Sequence, residues 1–137
     1  MKLSPAWFDG CAEAERRLWR SAEESFTAAQ NLAPDDPRPP LARAACLLAR
    51  GAVDDALVLL ETTPALAAAP PEYHANIAWM RALARLAGDD PLGAEQAATP
   101  LPDRARQRVA AMVLLRRGRY RQGVAALIAS TGRPPPA

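Results

Sequence analysis

At 137 residues with a net charge of +2, the chain is long enough for one domain or a short repeat array and too short for two full-sized domains. Hydrophobic residues, mainly Ala and Leu, make up 50% of it and aromatic residues only 5%, a balance that favours helices over sheet. The acidic residues crowd into the first part of the chain, and a basic group follows near its end, at Arg104, Arg106, Arg108, Arg116, Arg117, Arg119, Arg121 and Arg133.

Cysteine and histidine usage gives no indication of a disulfide-stabilised or a zinc-binding protein. Cys11 and Cys46 lack CxxC spacing and His74 is the one histidine, so neither a disulfide framework nor a zinc site is indicated. No run of about 20 apolar residues is free of charge, and no signal-peptide core follows the N-terminus. We therefore expect a cytoplasmic protein that does not insert into membranes.

The first predicted helical region lies between Pro5 and Pro34. Ser21 and Glu24 have the spacing of a capping box, which predicts a helix that starts near Ser21. Apolar residues then recur every three or four positions, as on one helix face, at Ala22, Phe26, Ala29 and Leu32. Residues 5–33 form either a polar capping helix followed by a second helix, which we favour, or one longer bent helix.

With Pro34, this stretch resembles the second helix of the tetratricopeptide repeat. One period of about 34 residues later, Ala56 and Leu60 stand at the equivalent positions. Gly51 precedes them at the turn, where a residue in the left-handed conformation ends a helix. The resemblance is therefore kept over at least two successive units.

The remaining units follow the same pattern with departures. The third has Gly88 at the turn and Ala94 one residue late, and the fourth has Gly118 at the turn and Gly123 at the small-residue position. In the first unit, Gly10 stands at the family's glycine position.

The turn glycine of the first unit is replaced by Arg17. The resemblance implies an all-α, right-handed solenoid of antiparallel helix hairpins with about four repeats and seven to eight helices. We predict a single domain over residues 1–132, with units at about 5–34, 38–66, 72–98 and 102–130, and a disordered tail at residues 133–137.

In this family the first helix of each unit lines a concave groove that binds partners. Carried onto this sequence, the groove positions are apolar with a basic rim: Leu41, Ala45, Leu48, Trp79, Ala82, Arg85, Arg108, Met112, Leu115 and Arg116. The lysine and asparagine clamp with which some members hold a peptide carboxylate is absent from these positions. The same residues would alternatively fill the core between helices or face another copy of the chain.

No constellation of catalytic residues or cofactor motif is found in the sequence. His74 follows two prolines at a predicted helix start and is interpreted as a surface residue, and Cys46 lies among apolar residues as a core thiol. The arginine-rich region is either a solvated face or a docking site for an acidic segment. Nucleic acid is disfavoured as its ligand because few aromatic residues interleave with the arginines.

The sequence therefore predicts a non-catalytic protein-interaction module without cofactor or metal. It would be an adaptor, a scaffold or a secretion-type chaperone, since small bacterial tetratricopeptide proteins of this length resemble such chaperones. Its partner would be an amphipathic or acidic protein segment. The alternative is a self-assembling scaffold, possible as a homo-oligomer, in which the acidic N-terminal end of one copy pairs with the basic C-terminal end of another.

Overall fold

The computed structural model describes residues 3–131, which contain helices and no strand. Nine α-helices lie in this range: α1 (Pro5–Glu15), α2 (Trp19–Leu32), α3 (Arg38–Ala49), α4 (Val53–Thr62), α5 (Pro64–Ala67), α6 (His74–Ala87), α7 (Pro91–Ala97), α8 (Asp103–Arg116) and α9 (Tyr120–Ser130). The all-α prediction is confirmed. The right-handed sense of the solenoid stays a prediction.

The predicted helix number was too low because α5 was not foreseen. Pro64 cannot donate the backbone hydrogen bond that would continue α4, but its fixed φ suits the first position of a new helix. A short helix of four residues therefore follows α4 directly.

The chain forms two compact units, unit 1 at residues 1–73 and unit 2 at residues 74–137. Unit 1 contains the helix pairs α1–α2 and α3–α4, and unit 2 contains α6–α7 and α8–α9. A single turn of 3-10 helix at Pro71–Tyr73 ends unit 1. The prediction of one continuous repeat domain over residues 1–132 stays a prediction.

The same turn joins the two helices of every pair. After α3, Gly51 adopts φ +84° and donates its backbone N–H to the Leu48 carbonyl at 3.1 Å, and Ala52 donates to the Leu47 carbonyl at 2.8 Å. This is the Schellman arrangement, which satisfies carbonyl groups left open at the end of a helix. The left-handed residues of the other three pairs, with the same bonding pattern, are Arg17, Asp89 and Gly118.

This turn fixes where each second helix begins. The helices α2, α4, α7 and α9 all start two residues after the left-handed residue. The predicted start of α2 near Ser21 is therefore wrong, because α2 begins at Trp19 with Leu18 as its N-cap and without a side-chain cap. Residues 5–33 form two helices, in agreement with the favoured of the two interpretations.

Small buried residues stand at the helix crossings. The fourth residue of each second helix is buried and small: Ala22, Ala56, Ala94 and Gly123. Seven residues before each left-handed residue, the first helix has another buried small residue, at Gly10, Ala44, Ala82 and Ala111. Small side chains at these points allow the paired helices to approach closely.

The core of unit 1 is built around Phe26. Its ring contacts that of Trp7 at a centroid separation of 5.2 Å, and Cys46 from α3 is buried against it. A Cβ atom on Gly10 would lie 2.6 Å from the Phe26 ring, so the absence of a side chain there makes room for the aromatic ring.

An ion pair fixes the connection between α2 and α3. Arg38 donates three side-chain hydrogen bonds to Asp36, at 2.9, 3.1 and 2.7 Å, and a backbone N–H bond at 3.0 Å. Burial alone would raise the pKa of Asp36, but the hydrogen bonds and positive charge of Arg38 outweigh that effect and hold this pKa below its usual value. Asp36 is 4% exposed, so these bonds replace the water that the carboxylate loses on folding.

Two sequence predictions concern membranes and the C-terminal tail. None of the helices in the described part of the chain combines the length and apolar character needed to cross a bilayer. The predicted disordered tail, residues 133–137, lies outside the described residues.

Candidate partner-binding surface

The predicted groove residues are best compared by counting back from the left-handed residue of each turn. In α3, the positions ten, six and three residues before Gly51 are Leu41, Ala45 and Leu48. They share one face of the helix, with Leu41 and Leu48 half-buried and Ala45 exposed. This face belongs to unit 1, and its continuity with the predicted surface of unit 2 stays a prediction.

In unit 2, an apolar hollow lies between α6 and α8. It has a volume of about 410 Å³ and is lined by Leu83, Leu86, Ala87, Met112, Leu115 and Arg116. Every lining residue except Arg116 is apolar, and the Arg116 side chain is exposed. We call this cavity the α6–α8 hollow. Its chemistry, an apolar surface with one cation at its edge, suits an amphipathic helix with an acidic flank.

A second hollow of about 720 Å³ adjoins the N-terminal end of α8. Its lining combines a half-buried tryptophan, two exposed arginines, a buried serine and three smaller side chains: Trp79, Pro102, Arg104, Ala105, Arg108, Ser130 and Thr131. Trp79 also packs against the core of unit 2. The structure therefore brings Trp79 and Arg108 together in one hollow and Met112, Leu115 and Arg116 together in the other.

Two predicted groove residues, Ala82 and Arg85, line neither hollow. Ala82 is 0% exposed because it is the small crossing residue of α6 and packs in the core of unit 2, so no partner can contact it. Arg85 is half-buried outside both hollows, and its guanidinium lies 3.5 Å from the Asp90 carboxylate. The assignment of Ala82 was wrong because of a shift of register in α6, and the assignment of Arg85 stays a prediction.

The register was shifted because Gly88 was taken as the turn residue. The left-handed residue is Asp89, with φ +61°. Counting from Asp89 gives Trp79, Leu83 and Leu86 as the groove positions of α6, and Leu83 and Leu86 do line the α6–α8 hollow. The same correction removes the apparent late position of Ala94.

The signal that the sequence analysis missed is an N-cap. Asp90 accepts a hydrogen bond from the Gly93 backbone N–H at 2.9 Å, and Pro91 occupies the first position of α7. An Asp followed by Pro is a strong marker of a helix start. It fixes the start of α7 at Pro91 and hence the turn residue two positions earlier.

Leu115 contributes to two packing surfaces. It lines the α6–α8 hollow, and it also packs against Gly123, where an added Cβ atom would lie only 2.8 Å from the Leu115 side chain. The hairpin contact with Gly123 therefore fixes the position of Leu115 in the wall of the hollow.

A basic cluster surrounds the turn between α8 and α9. Arg116, Arg117, Arg119 and Arg121 are all exposed, and within residues 3–131 no carboxylate forms an ion pair with them. Tyr120 lies among them, and a shallow hollow of about 540 Å³ includes Arg119, Tyr120 and Arg121. This cluster gives one end of unit 2 a concentration of positive charge.

Neither cysteine thiol is activated by its surroundings. Burial raises the pKa of both the Cys46 and Cys11 thiols, with smaller contributions from Glu23 to the first and from Glu15 to the second. A raised pKa lowers the thiolate fraction and hence the nucleophilicity. Among the described residues, no three His, Cys, Asp or Glu side chains are grouped so that they could hold a metal ion.

The family model for the tetratricopeptide repeat matches residues 15–86, more than half of the chain. The chain belongs to the tetratricopeptide repeat family. No curated protein and no solved structure matches it in the corresponding comparisons. Tetratricopeptide repeats generally mediate protein–protein interactions, which agrees with a surface made of apolar and arginine side chains.

The matched region begins at the last residue of α1 and ends one residue before the end of α6, so it contains α2 to α5 and most of α6 but not the first helix of unit 1. The pair α8–α9 lies beyond it but has the same turn geometry and the same small crossing residues. Its turn at Gly118 and its crossing residues Ala111 and Gly123 therefore follow the tetratricopeptide layout by local structure.

Proposed function

We propose that this tetratricopeptide protein is a non-catalytic interaction module whose unit 2 holds an amphipathic protein segment in the α6–α8 hollow. The observation that carries the proposal is the lining of this hollow: five apolar side chains and a single arginine, Arg116, at its edge. Apolar residues of the partner would fill the hollow, and an acidic residue on their flank would pair with Arg116.

The neighbouring arginines extend this preference for acidic partners. Arg104 and Arg108 line the second hollow beside Trp79, so a segment that runs along α8 would meet cations in both hollows. Complementary charge of this kind selects partners and raises their rate of association more than their affinity. Trp79 and Met112 are proposed as the main contact residues because a large ring and a flexible thioether provide much apolar area.

In unit 1, the α3 face with Leu41, Ala45 and Leu48 is proposed as a contact surface of the same apolar kind. In this proposal the protein works in the cytoplasm with both cysteines as free thiols. Two versions of the function follow from it. A secretion-type chaperone would keep an otherwise insoluble partner in solution, whereas an adaptor would bind a partner that is soluble by itself. Solubility of the partner with and without co-expression of this protein separates the two.

Site-specific photo-crosslinking tests the proposal. A photoreactive residue at Leu83, in the wall of the α6–α8 hollow, is expected to cross-link a partner from the cells that make this protein. The same residue at Val58, which is 61% exposed on α4, is the matched control and is expected to give no such product.

A second change tests the charge argument. Arg116→Glu is expected to reduce the cross-linked product at position 83, because the exposed Arg116 side chain can be replaced without disturbing the core. Equal cross-linking at positions 83 and 58 would contradict the proposed site, and an unchanged yield with Arg116→Glu would contradict the preference for acidic partners.

A further inference from the structure

Helix α9 has an apolar face that the described part of the chain leaves open. Tyr120, Val124, Leu127 and Ile128 lie on one side of α9 at helical spacing. Tyr120 is 68% exposed and Val124 is 49% exposed, and the other two are half-buried. We call this surface the open α9 face.

The equivalent face of α2, the second helix of the first pair, is covered by another helix of the chain. Counted from the turn residue, Tyr120, Val124 and Leu127 are equivalent to Trp19, Glu23 and Phe26 of α2. That side of α2 is covered by the following first helix, α3. The Glu23 carboxylate accepts a hydrogen bond from Arg50 at 2.7 Å, and Gln30 accepts one from Arg43 at 2.7 Å. The position of the open α9 face in the repeat is thus one that a first helix packs against.

The complementary surface is open at α1. In α3, the side that packs on α2 carries Ala42 and Cys46, which contact the cluster around Phe26. Their equivalents in α1, nine and five residues before Arg17, are Phe8 and Ala12. Phe8 is 58% exposed and Ala12 is exposed. We call this surface the open α1 face.

Charge favours pairing between these two different faces. Residues 1–73 contain eleven acidic and seven basic residues, whereas residues 74–137 contain four acidic and ten basic ones. Arg119 and Arg121 are exposed at the start of α9, and Asp9 and Glu15 are exposed on α1. Two α9 faces brought together would join two basic units, whereas an α9 face and an α1 face join opposite net charges.

We propose that the open α9 face of one copy binds the open α1 face of a second copy, so that α1 packs on α9 as α3 packs on α2 within the chain. Such a contact is heterologous, because it uses a different surface on each copy. An open assembly of this kind therefore has one free face of each kind at its ends. Copies add head to tail, and the mean assembly size rises with protein concentration.

Sedimentation of the full chain over a wide concentration range tests the proposal with one variant for each face. Val124→Arg places a guanidinium on the open α9 face, and Phe8→Arg places one on the open α1 face. Both positions are exposed and Arg is a good helix former, so circular dichroism should show unchanged helix content. Each variant alone is expected to lower the association constant by on the order of tenfold or more, because an unpaired charge would be buried in the contact.

Mixing the two variants is the decisive measurement. Val124→Arg keeps an intact α1 face and Phe8→Arg keeps an intact α9 face, so the mixture is expected to form a one-to-one complex and nothing larger. Val58→Arg, an exposed change elsewhere on a second helix, is expected to associate like the wild type.

Three outcomes would overturn the proposal. A Phe8→Arg variant that still associates like the wild type would show a symmetric α9–α9 contact instead. A mixture that remains monomeric would show that the two faces do not bind each other. A wild-type chain that is monomeric at every concentration would show that the open α9 and α1 faces do not join copies of this chain.

Discussion

The conformation of the turn residue is open to a direct stability test at two equivalent positions. Gly51 and Arg17 both end a first helix in the left-handed conformation, with φ +84° and +60°. That region costs a residue with a Cβ atom roughly 1–2 kcal/mol, whereas glycine enters it without this cost. A Cβ atom added at Gly51 would have no neighbouring atom within 4 Å, so Gly51→Ala changes the backbone preference and nothing else.

The expected magnitudes follow from two opposing effects. Alanine at position 51 introduces the strain of about 1–2 kcal/mol, and its lower entropy in the unfolded chain returns about 0.4–1 kcal/mol. We expect Gly51→Ala to lower the free energy of unfolding by about 1 kcal/mol. Arg17→Gly reverses both effects and is expected to raise it by about 0.5–1 kcal/mol.

Urea unfolding followed by helical circular dichroism measures both changes, and hydrogen exchange of unit 1 amides assigns them to unit 1. Arg17→Ala is the control, because it removes the guanidinium but keeps the Cβ atom. Its stability should stay near that of the wild type. If Arg17→Gly were no more stable than Arg17→Ala, or if Gly51→Ala were neutral, the argument from the left-handed turn would be wrong.

Three other changes probe the core, the buried ion pair and the thiols. Gly10→Ala places a Cβ atom 2.6 Å from the Phe26 ring and should cost about 1–3 kcal/mol in urea unfolding through overpacking; a neutral result would show that the ring can move without loss. Asp36→Asn should cost about 1.5–3 kcal/mol at neutral pH by weakening the bonds from Arg38. The pKa of Asp36 is lower in the folded chain, so the ionised carboxylate stabilises the fold above the unfolded pKa of about 3.9, and this contribution is lost as the pH falls through the folded pKa. The difference in free energy of unfolding between wild type and Asp36→Asn should therefore shrink in acid. A constant difference down to acid pH would contradict the ionised pair. Iodoacetamide should modify Cys46 more slowly in the folded chain than in urea, because the thiol is buried and its pKa is raised. Peptide mass spectrometry at several pH values measures the two rates, and equal rates would contradict this expectation.

The helices were predictable from sequence because their signals are local. Turn residues, small crossing residues and apolar spacing repeat with the tetratricopeptide period, and each acts within a few positions of the chain. Gly51 and Gly118 mark their turns without ambiguity, since glycine is the usual residue in the left-handed region. Arg17 occupies the same conformation although its identity gives no hint of it.

The site was less predictable because a single residue of register decides which side chains face the hollow. Successive residues of a helix point about 100° apart, so an error of one position exchanges the buried Ala82 for the wall residue Leu83. Gly88 and Asp89 are both plausible turn residues by composition. Asp90 followed by Pro91 marks the start of α7 and resolves the choice, and the hydrogen bond that Asp90 accepts from the Gly93 backbone N–H confirms it.

The most buried positions of this chain hold small residues, whereas several large apolar side chains lie at open faces. Most of the residues that are 0% exposed are alanines: Ala22, Ala44, Ala56, Ala82, Ala84, Ala94 and Ala111. Alanine adds little apolar burial, since each buried methylene contributes about 0.8 kcal/mol and alanine has none in its side chain. Leu83, Met112, Val124 and Phe8 provide that area instead, but the chain covers them only in part. A partner segment in the α6–α8 hollow or a second copy at α9 would add burial that the single chain lacks. In either case we expect the free energy of unfolding to rise with the concentration of that binding partner.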